Sequence, residues 1–97
     1  MNRSIHRFAS EGLADAVRFY KSEAGVGLAR RFLTEFERVA RLLEQHPHIG
    51  TPTADGRRVH SLTDFPYSVI YRQDDAGLRI LVVRHQSRDP DYAESRR

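Results

Sequence analysis

The residues best suited to chemistry are arginines that stand at or near the ends of three short apolar runs in the second half of the chain. The runs cover residues 56–59, 65–72 and 78–85, and each is long enough for one β-strand. The arginines that accompany them are Arg57, Arg58, Arg72, Arg84 and Arg88. A guanidinium group is a planar fork of donors that matches a phosphate or a carboxylate. The pattern therefore predicts a rim of positive charge that meets phosphates or acidic partners.

His85 and Tyr92 add the possibility of proton transfer at this rim. Cleavage of RNA by its own 2′-hydroxyl requires a base, an acid and positive charge beside the phosphorane. His85 is the natural base or acid because its side chain titrates near neutral pH without perturbation. Tyr92 can stack on a base or donate a proton. A cleaving set with His85 and Arg84 at its centre is therefore one hypothesis.

A second interpretation of the same residues involves binding without catalysis. Successive residues of a strand point to opposite faces, so Arg84 and His85 share a site only if the strand ends or bulges between them. Arg57 and Arg58 are equally suited to the carboxylates of a protein partner. The residue types alone leave both interpretations open.

Length and composition predict a single globular domain spanning residues 1–97, with a net charge of +3. No run approaches the roughly 18 apolar residues that a membrane span needs, and no secretion signal opens the chain, so we expect a cytoplasmic protein. Cysteine is absent, and the five histidines match no ligand spacing. We therefore expect neither a metal site nor a cofactor.

Two helices are predicted in the first half, after a short strand over residues 4–8. Ser10 is placed to cap the first helix, and Gly25 and Gly27 favour a turn after it. The second helix carries one apolar stripe at steps of three and four. Its members are Ala29, Phe32, Leu33, Phe36, Val39, Ala40 and Leu43. This helix should end before Pro47.

The second half predicts a loop over residues 49–56 and then three strands, over 57–62, 65–72 and 78–83. Residues 73–77 supply a hairpin turn between the last two. The near-continuous apolar character of the last strand indicates a central strand covered on both faces. The order β-α-α-β-β-β is that of an α+β fold, with a helical hairpin packed on a small, mainly antiparallel sheet.

Several short motifs occur in order along this framework. They include Ala-x-x-Phe at 29–32, Gly-Arg-Arg at 56–58, Phe-Pro-Tyr at 65–67 and His-x-x-Arg-Asp-Pro at 85–90. Together they resemble the RelE/ParE superfamily of toxins from bacterial type II toxin–antitoxin modules, over nearly the whole chain. The Phe-Pro-Tyr and His-x-x-Arg-Asp-Pro elements look more like the ParE-type grouping, often called plasmid stabilisation proteins.

The resemblance implies a toxin that arrests growth and forms a hetero-oligomer with a cognate antitoxin protein. A ParE-like member would bind DNA gyrase as its target, and a RelE-like member would instead cut mRNA on the ribosome. In the first case the target- or phosphate-binding residues would be Arg57, Arg58, Arg72 and Arg88. In the second case the catalytic residues would be His85, Arg84 and Tyr92.

Overall fold

The computed structural model describes residues 3–87, which form two helices and five strands. The elements are β1 (Arg3–Ile5), α1 (Arg7–Ala24), α2 (Val26–Gln45), β2 (Thr51–Pro52), β3 (Arg58–Ser61), β4 (Tyr67–Asp74) and β5 (Gly77–His85). Within this part of the chain, no helix has the length and apolar character to cross a membrane. The predicted α+β order is confirmed, with one additional short strand.

The strands form one mixed sheet in the order β1-β5-β4-β3-β2. The first strand runs parallel to β5, and every other neighbouring pair is antiparallel. β4 and β5 carry the longest pairing, which is interrupted by an irregularity between Ile70 and Tyr71. Because Tyr71 pairs with Ile80 while Ile70 pairs with Val82, Leu81 is the extra residue of a bulge in β5.

The first helix begins three residues before the predicted cap, so the assignment of that role to Ser10 is wrong. His6 is the cap residue, and its Nδ1 accepts a hydrogen bond from the backbone N–H of Phe8 at 3.0 Å. The strand that precedes the helix is correspondingly shorter than predicted and ends at Ile5. A side chain that accepts from an early N–H satisfies one of the free donors of the first turn, whatever its residue type.

Gly25 joins the two helices and lets them pack as a hairpin. Its φ of 94° lies in the region that side chains avoid, and its N–H donates to the carbonyl of Lys21 at 3.0 Å. Gly12 allows close packing of α1 on the sheet, because a Cβ at this position would collide with the carbonyl oxygen of Val83. The sequence indicated the turn at Gly25 but gave no sign of the contact at Gly12.

The core lies between the helical hairpin and one face of the sheet. The apolar stripe of α2 is confirmed with one exception, since Leu33 is 42% exposed. The core contains a cluster of four aromatic rings, in which five pairs have centroids between 5.0 and 6.1 Å apart; the rings belong to Tyr20, Phe32, Phe65 and Tyr67. Edge-to-face contacts of this kind add to the burial of apolar area in fixing how the hairpin sits on the sheet.

The second half differs from prediction in two strands. The predicted loop contains the edge strand β2, whose two residues pair with Val59 and Arg58 of β3. The last strand extends to His85, and it is central in the sense that β1 and β4 flank it. The helices cover one of its faces, where Leu78, Ile80 and Val83 are buried. Within residues 3–87 no helix covers the other face, which carries arginines and is partly exposed, so the expectation that both faces are covered is wrong for this part of the chain.

Candidate functional site

A groove lies over the open face of the sheet and contains three of the arginines. Its volume is about 530 Å³, and its lining residues are His6, Phe8, Asp55, Arg57, Arg72, Arg79, Leu81 and Val82. The arginines come from three successive positions across the sheet, beside β3, on β4 and on β5. Neighbouring strands are about 4.8 Å apart, so the three guanidinium groups form a short row across the strands. This row matches the predicted rim of charge at Arg57 and Arg72.

Arg72 and Arg79 are directly opposite each other in the register of β4 and β5. Arg79 Nη1 donates a hydrogen bond to the hydroxyl oxygen of Ser4 at 3.2 Å. Arg57 pairs with Asp55, which among residues 3–87 is the one carboxylate that lines the groove. Within residues 3–87, neither Arg72 nor Arg79 forms an ion pair with a carboxylate. The groove therefore keeps an excess of positive charge.

Arg58 points away from this groove. Its Nη1 donates to the carbonyl oxygens of His48 at 3.0 Å and Gly50 at 2.9 Å. Its register partner Tyr71 reaches the same segment: the Tyr71 hydroxyl donates to Pro47 O at 2.8 Å and accepts from Gly50 N at 3.0 Å. Burial raises the pKa of Tyr71 above its usual 10.0, against smaller opposing effects of the Gly50 N–H and Arg58. Arg58 therefore holds the turn after α2, and it is not placed with Arg57 and Arg72.

Arg84 and His85 lie on opposite faces of β5. Arg84 pairs with Ser68 and His85 with Tyr67, and no register shift separates these two pairs. The His85 ring packs edge-on against Tyr67 with centroids 5.1 Å apart. Its Nδ1 accepts a hydrogen bond from Ser87 N at 3.0 Å. The strand thus separates the two residues at the centre of the cleavage hypothesis.

Arg88 and Tyr92, the remaining predicted site residues, lie outside the described residues. The last described residues are tied back to the sheet through Gln86. Its backbone N–H donates to Pro66 O at 2.8 Å, and its side-chain amide donates to the hydroxyl oxygens of Ser61 and Ser68, both at 3.1 Å. These bonds hold Gln86 against β3 and β4 at the end of β5.

Sequence reasoning missed Arg79 and Phe8 as residues of the groove. A signal for Arg79 was present, because a two-residue turn between Asp74 and Gly77 places Arg79 opposite Arg72 by counting along both strands. Phe8 gave no such signal. It lies in the first turn of α1 with its side chain 52% exposed, close to the His6 ring and beneath the Arg7 guanidinium.

The outer surface of α2 carries a second open groove, of about 610 Å³. Leu33 and Leu42 provide its apolar part, and Glu37, Arg38 and Arg41 are among the charged residues beside them. Arg41 Nε lies 3.2 Å from the Glu37 carboxylate. A mixed apolar and charged surface on a helical hairpin is suited to an amphipathic partner segment.

Glu35 organises a charged cluster where α2 meets the loop after β3. It accepts from Arg38 and from the backbone N–H of Thr63, each at 2.7 Å. The bond to Arg38 is the main cause that lowers the pKa of Glu35 below 4.5. Nearby His60 has its pKa lowered below 6.5, chiefly by burial and then by Arg38. Among residues 3–87, no group of three or more histidine, aspartate or glutamate side chains is arranged to hold a metal ion.

Comparison with known proteins gives a consistent result over nearly the whole chain. The family described as "ParE toxin of type II toxin-antitoxin system, parDE" matches residues 4–90. The protein "Toxin ParE2" is 28% identical to this chain over 91 residues in two strains of Mycobacterium tuberculosis, covering 94% of this chain and 87% of that protein. A solved structure titled "Chromosomal ParDE TA system from P. aeruginosa" superposes with a TM-score of 0.79 at 22% identity, over 88% of this chain and 95% of that one. The latter similarity concerns the fold.

Proposed function

The chain belongs to the ParE toxin family of type II toxin–antitoxin systems, and we propose that it arrests growth by binding a DNA gyrase-type target in the cytoplasm. A toxin of such a system has an antitoxin partner. In our proposal the antitoxin is encoded beside this chain and forms a hetero-oligomer with it, which blocks the toxin. The proposal needs no chemical step on the part of the toxin.

The observation that carries this proposal is the separation of Arg84 from His85 by the plane of the sheet. Cleavage of RNA needs a proton-transferring group and a charge stabiliser at one phosphate. His85 lies on the side of Tyr67 and accepts from the chain that follows it, whereas Arg84 lies on the side of Ser68. Arginines suited to binding, at Arg57 and Arg72, line the open face. This arrangement supports recognition of a partner more than catalysis.

The alternative is a RelE-like, ribosome-dependent mRNA endonuclease that uses His85, Arg84 and Tyr92. The alternative is favoured by the position of His85 at the end of β5, immediately before the segment that contains Arg88 and Tyr92. In that case Arg88 would neutralise the phosphate and Tyr92 would complete the proton transfer. The two functions differ in what happens to mRNA, so one experiment separates them.

The antitoxin would bind two surfaces that the structure leaves open. One is the groove beside Leu33 and Leu42 on α2, and the other is the arginine-lined face of the sheet. Antitoxin segments that fold on binding can cover separate surfaces of this kind, because an extended chain reaches both. Coverage of the sheet face would also block any target that binds there.

The deciding experiment is induction of the toxin without antitoxin in a bacterial host, with mapping of mRNA 5′ ends as growth slows. We expect growth arrest with intact messages, and inhibition of supercoiling when the purified toxin is added to gyrase. His85→Ala should remain toxic, as should the control His46→Ala at the exposed end of α2. New 5′ ends within translated codons, lost in His85→Ala alone, would establish the endonuclease instead. Undisturbed growth would contradict both functions.

A further inference from the structure

From the groove on the open face of the sheet we infer a specific anchor point for the antitoxin: an acidic side chain bound between Arg72 and Arg79, with an apolar neighbour on Leu81 and Val82. This inference rests on the proposed function, since it assumes that an antitoxin binds the chain. It goes further by naming the residues and the chemistry of recognition.

The first argument is the unfavourable pairing of two positive charges. Residues directly opposite each other in an antiparallel pair have Cβ atoms about 4.5–5.5 Å apart, and like charges at such positions destabilise the sheet. Arg72 and Arg79 are such a pair. Arg79 donates to Ser4, which carries no charge, and the Arg72 side chain makes no hydrogen bond or ion pair within residues 3–87. A negative charge bound beside both arginines would relieve this repulsion.

The second argument is geometric. Two guanidinium forks on one face and in register can converge on a single carboxylate, because each fork offers parallel N–H donors. Arg57 continues the row on the next strand position, but its charge is already balanced by Asp55. Among the arginines of the groove, Arg72 and Arg79 are therefore the two whose charge no carboxylate of residues 3–87 balances.

The third argument concerns the rest of the lining, which favours a peptide over a nucleic acid. Leu81, Val82 and the half-exposed Phe8 give the groove an apolar floor and wall. A nucleic-acid surface neutralises several phosphates with a clustered patch of basic residues. Asp55 lies in this groove, and the net charge of the chain is only +3. A volume of about 530 Å³ accommodates a few side chains.

The test is the affinity of the purified toxin for its purified cognate antitoxin, measured by calorimetry at low and at high salt. We expect Arg72→Glu/Arg79→Glu to weaken binding by about 100-fold. The control Arg18→Glu/Lys21→Glu makes the same change in net charge on exposed positions of α1 and should leave the affinity within about threefold of wild type. Equal loss in both double variants would overturn the anchor, because it would indicate general electrostatic attraction.

A second variant distinguishes a loss of antitoxin binding from a loss of folding. Arg72→Gln removes the like-charge pair and breaks no contact within the described residues. We therefore expect the free protein to have a melting temperature that is unchanged or higher, together with antitoxin binding weakened by about tenfold. Unchanged affinity in Arg72→Gln would contradict the inference.

A single-stranded RNA oligonucleotide serves as the competing probe. If it binds wild type but not Arg72→Gln, while antitoxin affinity is the same for both proteins, the groove is a nucleic-acid site and the inference is wrong. Failure of the proposed function is distinguishable from these results. It would be seen as normal growth on induction of the wild-type toxin, whereas the anchor is judged by binding alone.

Discussion

The Tyr71 hydroxyl and the backbone of Gly50 are in such close contact that no larger residue fits at position 50. A Cβ on Gly50 would lie 2.5 Å from the hydroxyl oxygen and 2.8 Å from the ring carbon Cε1. The hydroxyl meanwhile accepts from Gly50 N and donates to Pro47 O. These hydrogen bonds hold the turn after α2 against β4, which contains Tyr71.

Gly50→Ala should therefore destabilise the fold by about 1–3 kcal/mol, because the added methyl group forces the tyrosine or the turn to move. Gly27→Ala is the matched control, since nothing lies within 4 Å of a Cβ at that helical position. That change should be neutral or stabilising by up to about 1 kcal/mol. Urea unfolding of the two variants beside wild type decides the matter. Equal stability of both variants would show that the turn accommodates the methyl group without loss of stability, which would contradict the prediction.

His6, not Ser10, should be the residue on which the start of α1 depends. His6→Ala removes the acceptor for Phe8 N and should cost about 1 kcal/mol. Ser10→Ala changes an exposed position inside the helix and should stay within about 0.5 kcal/mol of wild type. Thermal unfolding measured for both variants provides the comparison. A larger loss of stability in Ser10→Ala than in His6→Ala would show that Ser10, and not His6, is the cap of α1.

Arg3 should hold the edge strand β1 to α2 through two carboxylates. Its guanidinium contacts Glu37 at 2.7 Å and Glu44 at 2.6 Å, and its own side chain is 23% exposed. The hydrogen bond to Glu37 is the main cause that raises the pKa of Arg3. We expect Arg3→Ala to cost about 1 kcal/mol and to speed amide exchange at His6, whose N–H bonds to Ile80 O.

Arg18→Ala is the control for this prediction. Its ion pair with Asp15 is a surface contact, with both side chains about 70% exposed, so its loss should have no measurable effect. If Arg3→Ala and Arg18→Ala had the same stability and the same amide exchange rates, the contacts of Arg3 with Glu37 and Glu44 would not stabilise β1.

His60 should make stability depend on pH in the mildly acidic range. Burial and Arg38 lower its folded-state pKa below 6.5, against a smaller opposing effect of Glu35. As the pH falls through 6.5, the unfolded chain therefore takes up a proton first, and the folded state loses stability until the lower folded pKa is passed. His60→Gln should flatten the part of the stability curve that begins as the pH falls through 6.5. Parallel curves for the two proteins would contradict the prediction.

The sequence predicted correctly those parts of the fold in which apolar residues recur at a regular spacing. The stripe of α2 follows from burial of one face of the helix, and helical periodicity reports that burial directly. The same reasoning misplaced the start of α1, because it looked for a hydroxyl cap at Ser10 and did not consider an imidazole at His6. It also missed β2, since two residues paired at an edge leave no periodic signal.

The candidate site was predicted only in part, for a reason of register. Arg57 and Arg72 were chosen for residue type, and they do share the groove. Arg58 was chosen on the same ground, yet it faces the other way because adjacent residues alternate. Arg79 was overlooked because its importance lies in facing Arg72 across the hairpin. Residue type indicated which side chains could bind an anion, and the strand register determined which of these arginines lie in the same groove.

The parallel pairing of β1 with β5 has a consequence for how the protein is made. Residues 3–5 leave the ribosome well before residues 78–80, which are their partners in β5. Contacts so distant in sequence form late and slowly. A nascent chain can therefore fold its helical hairpin early, but it cannot close the sheet or align Arg72 with Arg79 until β5 has emerged. The arginine row is therefore absent until β5 has left the ribosome.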